Sequence, residues 1–327
     1  VFADGVEIYV DDAAKGNVGG FAISGRSSNK ASFYDIMKVT PDSTRIYVSD
    51  AFKKGNVGGF AVSGRSSTKN TSAKFLNLSP ENYFIGQESG KSITDGAYNS
   101  FLGYQSGYST TIGSRNVFLG YKSGYSNVSG DDNIFVGNTA GFTNSTGFAN
   151  IFLGNTSGYM NENGIYNIFL GRRTGYYNTT GSSNIIIGDW AGVNNVTGNS
   201  NVFMGDFCGY SNKKGKDNVF IGANAGWSND SGNYNVFLGK NAGYFNIDGI
   251  SNVFIGENSG YSNTSGDFNA SLGTLSGYSN TQGNENAFIG QESGKYNTTG
   301  SFNSFLGTLS GLSNESGLSN VFIGKSA

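Results

Sequence analysis

The residues best placed to touch a ligand are two rings, Trp190 and Phe207, which stand 17 positions apart, each directly after a carboxylate, Asp189 and Asp206. Stacked exposed aromatics flanked by carboxylates suit sugar rings: a pyranose offers apolar C–H faces to the rings and hydroxyl donors to the carboxylates. Packing of the two rings at an interface between chains is the simpler reading of the same pair. Little else in the chain can do chemistry. There is no His among the 327 residues, which removes the common general base and the common zinc ligand. No acidic cluster recurs in the repeats, and Asp131-Asp132 and Glu285 stand isolated, so a glycosidase pair has no support. Cys208, the single cysteine, takes a place filled elsewhere by Ser, Ala or Thr and reads as a small buried residue rather than a nucleophile. The repeated-Asp calcium nonapeptide is missing, and so is a phosphate loop between a strand and a helix. The chain is expected to be no enzyme and to hold no metal and no cofactor.

What positions those side chains is a repeat. Fifteen asparagines recur at a strict period of seventeen, from Asn82, Asn99 and Asn116 through Asn303 to Asn320, without a slip. One extra residue would throw every later side chain out of column, so each repeat is one coil of a stacked structure. Counted from that Asn, glycine fills the fourth place in all fifteen turns. It also fills the eighth and fourteenth places in all fourteen turns that reach them; Gly120, Gly124 and Gly130 are one set. Three such glycines predict three corners that need positive φ or close approach of the next coil. The segments between them are short and rich in Val, Ile, Phe and Tyr, which predicts short strands. Parallel stacking at ~4.8 Å then makes a rod of roughly 65–70 Å.

Asn recurs in the eleventh place after the first in twelve of fourteen turns, Ile93 and Thr110 being the exceptions; Asn116 and Asn127 are one such pair. Two amide ladders along the axis are expected. The same spacing generates Asn-x-Ser/Thr sequons at Asn127, Asn144, Asn178 and Asn297, and ladder geometry is preferred to glycan attachment there. The strand after each Asn carries the sharper information. Its second place is Phe in thirteen of fifteen turns (Phe118, for one), with Ile186 and Ser271 departing, and its first and third places are mostly aliphatic. Successive strand residues face opposite sides, so both faces are apolar, yet a coil has one interior. One ladder should therefore lie outside as a surface for association. The alternative is a strand that bends and tucks both sets inward. Variable residues fall at the fifth, sixth, fifteenth and sixteenth places, such as Arg172, Arg173, Leu275 and Leu309, and should face outward.

Composition sets the outer limits. The net charge is −2, and the array 82–327 holds 11 Lys/Arg against 15 Asp/Glu, scattered. A nucleic-acid binder would carry a basic surplus, so that partner is not expected. A membrane span takes an apolar run of about 18 residues or more, and no run approaches that length, so none is expected in this stretch. The sequence starts at Val1 without Met or signal peptide and stops at Ala327 in mid-turn, and it reads as a piece of a longer polypeptide. Residues 1–81 have a longer repeat of their own. Phe21 and Phe60 are separated by the same interval as Pro41 and Pro80, thirty-nine positions, and Gly-Asn-Val-Gly-Gly-Phe-Ala opens at both Gly16 and Gly55. Alternation at Val6, Ile8 and Val10 argues strands. These residues are expected to form two β units, a collar or stalk on the rod, with Arg26, Lys30, Arg65 and Lys69 on solvated turns.

The Asn-Val-Phe-Leu-Gly strand resembles the head repeats of trimeric autotransporter adhesins of the YadA type. The whole chain, with Arg45-Ile-Tyr-Val and Gly-Gly-Phe-Ala-Val, is also similar to large repeat-bearing surface and tail-fibre-like proteins of Bacteroidota. The adhesin heads are left-handed parallel β-rolls in which three chains pack their inner strands around one axis. Their repeat is shorter and richer in Ala and Ser. The resemblance implies export to the cell surface and a fibre role, with surface glycans or a receptor as partner. The expectation is thus an all-β parallel β-solenoid, or β-roll, of 17-residue coils, packed as a homotrimeric rod with an N-terminal β collar. Its function would be structural or adhesive. A phage or contractile-injection tail fibre uses the same rod on a different base. An ice-binding solenoid needs a regular Thr array, and a polysaccharide-cleaving tailspike needs clustered carboxylates; both rank lower.

Overall fold

The computed structural model describes residues 6–7, 37–40, 43–46, 60–65 and 72–327. From Asn82 onward the chain is a parallel β-solenoid of 17-residue coils. Its first two strands are β6 (Asn82–Ile85) and β7 (Asn99–Leu102). Strands of three residues follow in every coil, from β8 (Val117–Leu119) to β20 (Val321–Ile323). Each pairs in parallel with the strand one coil on, in register: Phe118 sits beside Phe101 on one side and Phe135 on the other.

The rest of each coil differs from the sequence expectation. The other two segments between glycines are turns rather than strands. The cause is in the backbone. Besides the glycines, the sixth and sixteenth places are left-handed in every coil that the chain completes, at Lys122 (φ 51°), Asp132 (φ 57°) and Trp190 (φ 57°) among others. A chain bent that often cannot run extended for long. Hydrogen bonds between coils hold these bends: Lys122 N–H donates to Tyr104 O at 2.9 Å, and Asp132 N–H to Ser114 O at 3.0 Å. Each such residue costs about 1–2 kcal/mol, so the ladders must more than offset it.

Only two of the three glycine columns have positive φ. The fourth place lies near φ 124–145° and the eighth near 53–59°. The fourteenth is needed for close approach alone: a Cβ on Gly130 would run into the Asn127 amide and the Gly147 carbonyl. The eighth-place glycine also explains the Phe column. A Cβ on Gly124 would lie against the Phe118 ring, so the ring occupies the room the glycine leaves. Phe rings stack along the interior with centroids 4.6–5.1 Å apart, at the rise of the coils. Ile186 and Ser271 interrupt them.

Both amide ladders form. Asn116 donates from its backbone N–H and its Nδ2 to Asn99 Oδ1 (3.0 and 3.1 Å), and from Nδ2 to Gly130 O (2.8 Å). In the eleventh column Asn144 Nδ2 donates to Asn127 Oδ1 (2.7 Å) and to Gly147 O (2.9 Å). The sequon asparagines Asn127, Asn144, Asn178 and Asn297 are fully buried members of this second ladder. Glycan attachment would require each coil to open. Thr110 stands where the ladder should have begun, and its Oγ1 is the one buried side-chain polar atom without a partner among the described residues. Thr110→Asn restores a donor to Gly113 O and an acceptor for Asn127 Nδ2. Such a repair is expected to raise stability by about 1–3 kcal/mol, read as a higher thermal midpoint; a lower midpoint would contradict the ladder assignment.

Cys208 is buried, its Sγ 3.2 Å from Phe220 O, and burial pushes the thiol well above its usual range. It packs as a small side chain.

At the N-terminal side the two longer units share a hairpin register. Strand β2 (Met37–Thr40) pairs antiparallel with β3 (Ser43–Ile46), matching Val39 to Thr44 and Met37 to Ile46. Strand β5 (Ser72–Leu78) pairs with β6, matching Leu78 to Tyr83 and Leu76 to Ile85, the same four places one unit further on. The outgoing arm of the second hairpin is therefore the first strand of the rod. Strand β5 covers the edge that β6 would otherwise leave open, and β4 (Phe60–Arg65) pairs antiparallel along the far side of β5. The short β1 (Val6–Glu7) pairs with β2. Ile8, Val10, Arg26, Lys30, Lys69 and the side chain of Arg65 lie outside the described residues.

Candidate interaction surface

The strand of each coil stays straight and divides its side chains. Phe118 is fully buried while Val117 and Leu119, on either side of it, are 42% and 41% exposed. The same in–out pattern repeats along the rod. The bent strand with both sets inside is therefore not what forms. The third place is Leu, Ile, Val or Met in all fifteen coils, from Ile85 and Leu102 to Leu306 and Ile323. With the first place, Val or Ile in most coils, beside it, this column leaves a face of roughly 1,000–2,000 Å², above the patches that monomers usually expose. It also exceeds the ~800 Å² that one partner buries in an interface of standard size.

A second column, not singled out by the sequence reading, runs through the ninth place. It is aromatic in ten of fourteen turns, and its half-buried rings stack with centroids 4.6–5.8 Å apart from Tyr108 to Tyr176 and again from Tyr210 to Tyr278. The recurrence of Gly-Tyr was its signal. Val193 breaks the column, and there the rings of Trp190 and Phe207 stand in adjacent coils with centroids 6.3 Å apart. They bridge the break: Arg173 lies 4.4 Å over Trp190 and 5.9 Å from Tyr176, and Phe207 lies 5.4 Å from Trp227.

The structure thus brings Trp190 and Phe207 together, as the spacing implied, but covers their faces. Arg173 comes from the coil before Trp190 and Phe207 from the coil after it, so the indole has a neighbour on each side along the rod. Of the two carboxylates, Asp189 is held by Arg172 at 2.7 and 3.0 Å, and that pair keeps its carboxyl below the usual range. Asp206 is exposed and accepts the Asp189 backbone N–H at 3.2 Å. A sugar here would meet half-buried rings already flanked by a guanidinium, and one carboxylate free of an ion pair among the described residues, rather than an open ring face. Among the described residues no group of three or more His, Cys, Asp or Glu comes together to hold a metal ion, and no helix is long and apolar enough to cross a membrane.

The ladders are neutral amides and rings, which fixes the pH response. Nothing in them titrates between about pH 5 and 9. Burial, then the neighbouring phenols, raises Tyr176 and Tyr261 above the usual 10.0. The unfolded chain therefore loses those protons first, and the stability present below the free phenol range is lost as pH rises through it. Asp189 and Asp132 have lowered values beside Arg172 and Arg115, so their support is lost on the acid side; both pairs are exposed and weigh little. The expected thermal midpoint is flat from about pH 5 to 9 and falls above about pH 10. A transition near neutral pH would contradict this assignment.

The comparisons add no relative: no family model matches the chain, and no curated protein or solved structure matches it. The class that the fold defines is a 17-residue-coil β-solenoid repeat protein.

Proposed function

We propose that this chain is part of an extracellular, cell-surface fibre, a stiff homotrimeric rod with a structural or adhesive role. The single observation that carries the reading is the outward apolar face along one side of the solenoid, whose third-place column is aliphatic in every coil. A face of that size, regular over fifteen coils, favours burial against copies of itself, because only another rod offers apolar columns at the same rise. The number three comes from the adhesin heads that the sequence resembles. Stiffness follows from the inner columns of stacked rings and amides, in which the rings are interrupted only at Ile186 and Ser271. Attachment falls to the variable columns, and Trp190 with Phe207 remains the candidate contact for surface glycans or a receptor on a neighbouring cell.

The test is location. Gold-labelled antibody raised against residues 82–327 should decorate filaments outside intact producing cells. Label found only after the cells are broken open would overturn the surface-fibre reading.

A further inference from the structure

The aliphatic face has a problem that its own regularity creates. Columns identical at every rise allow two rods to slide by one coil at little cost, since register is weakly specified where successive rungs are alike. An assembly of defined length therefore needs features that break the repeat. The first-place column supplies them. It is Val or Ile in most coils but falls to Ser100, Ala270, Ala287 and Ser304.

Large rings accompany these small residues. Tyr98, Phe268 and Phe302 occupy the sixteenth place, two residues before Ser100, Ala270 and Ser304, and are 68%, 57% and 55% exposed. Around Phe268 the surface is hollow, lined by Phe268, Ala270, Glu285, Asn286 and Ala287. At the other two levels the protruding ring stands beside the small side chain of Ser100 or Ser304. Tyr166 and Tyr234 stand at the same place beside full-size Ile168 and Val236.

We infer that Tyr98, Phe268 and Phe302 are register pins, each seated over the small first-place residue at the same level of a neighbouring copy, so that rods associate parallel and in register. In a rotationally symmetric assembly around the rod axis, equal levels face one another. A slip of one coil would bring Phe268 opposite Ala287, but Phe302 opposite Val321 and Tyr98 opposite Val117. The pins are also unequal end to end, one near the first coils and two near the last, so an antiparallel pair cannot seat them all. This inference rests on the self-associating rod proposed above.

The experiment uses the full chain with Cys208→Ala, a residue the same column carries at Ala191 and Ala225. A spin label is placed at Asn155→Cys in one protein and Thr308→Cys in another, both exposed and nine coils apart in the fifth column. Dipolar spectroscopy should give one narrow inter-copy distance, the same at both heights. Tyr98→Ala, Phe268→Ala and Phe302→Ala together should keep the association but broaden the distribution by one or more coil rises of ~5 Å. Different distances at the two heights would overturn parallel register, and a narrow distance retained in the triple variant would overturn the pins while leaving the assembly standing. Absence of any inter-copy coupling in the parent would overturn the assembly itself and the pins with it.

Discussion

Gly239→Val should cost at least about 3 kcal/mol and lower the thermal midpoint by several degrees. Gly239 has φ 135°, a conformation L side chains rarely adopt, and a Cβ there would run into the carbonyl of Gly256 in the next coil. Neither problem can relax locally, because the next coil has its own glycine at the same height and shares the same hydrogen bonds. In a solenoid each coil touches only its neighbours, so the damage should appear as a break between two halves rather than as uniform weakening. Asn155→Ala and Lys240→Ala, at the place just after the fourth-place glycine with side chains outward, should change stability by no more than about 0.5 kcal/mol. Circular dichroism melts of the three variants test this. Equal midpoints would contradict the corner assignment.

The second large effect is expected at Asn167. Its Nδ2 donates to Gly181 O at 2.8 Å and to Asn150 Oδ1 at 3.2 Å. Its Oδ1 accepts the backbone N–H of Asn184 at 3.0 Å and that residue's Nδ2 at 3.1 Å. Asn167→Leu keeps the volume and removes all of these. The Asn184 backbone N–H is left buried without a partner, at about 1–3 kcal/mol, and the Gly181 carbonyl keeps only the Asn178 Nδ2 donor at 2.9 Å. With the other lost hydrogen bonds, a total of roughly 2–4 kcal/mol follows, larger than a surface change and approaching the cost of emptying a Phe position. A Leu variant that melts with the parent would mean that the amide ladder contributes packing alone.

Much of this was legible because repetition makes columns visible. Asn116, Phe118, Gly120 and Gly124 stand out by spacing, and each meets the constraint that its type suggests: an amide rung, a stacked ring and two positive-φ corners. Gly130 was legible as a corner, though its need is room for the neighbouring amide rather than positive φ. The left-handed residues at the sixth and sixteenth places were not legible. Their side chains point away from the coil, so Lys, Trp, Phe and Asp all occur there, and nothing in their identity reports the backbone that the inter-coil hydrogen bonds impose. That omission is why strands were expected where turns form.

The Trp190–Phe207 pair was legible as neighbours and not as a surface. Spacing set the two rings in adjacent coils, but whether their faces were free depended on Arg173 and on the gap at Val193. The strand was the reverse case: alternation alone required one apolar set to lie outside, and Phe went in because a flat ring fits the space over the eighth-place glycine. That outward face is what self-association of the rod depends on.

Multi-angle light scattering of the purified chain at low micromolar concentration tests it most directly. A single species of about three times 34.4 kDa is expected, held together by the aliphatic face, and therefore shifted to the monomer mass by Leu153→Lys with Leu170→Lys. A parent chain that is a stable, soluble monomer, with the face bare to water, would contradict it.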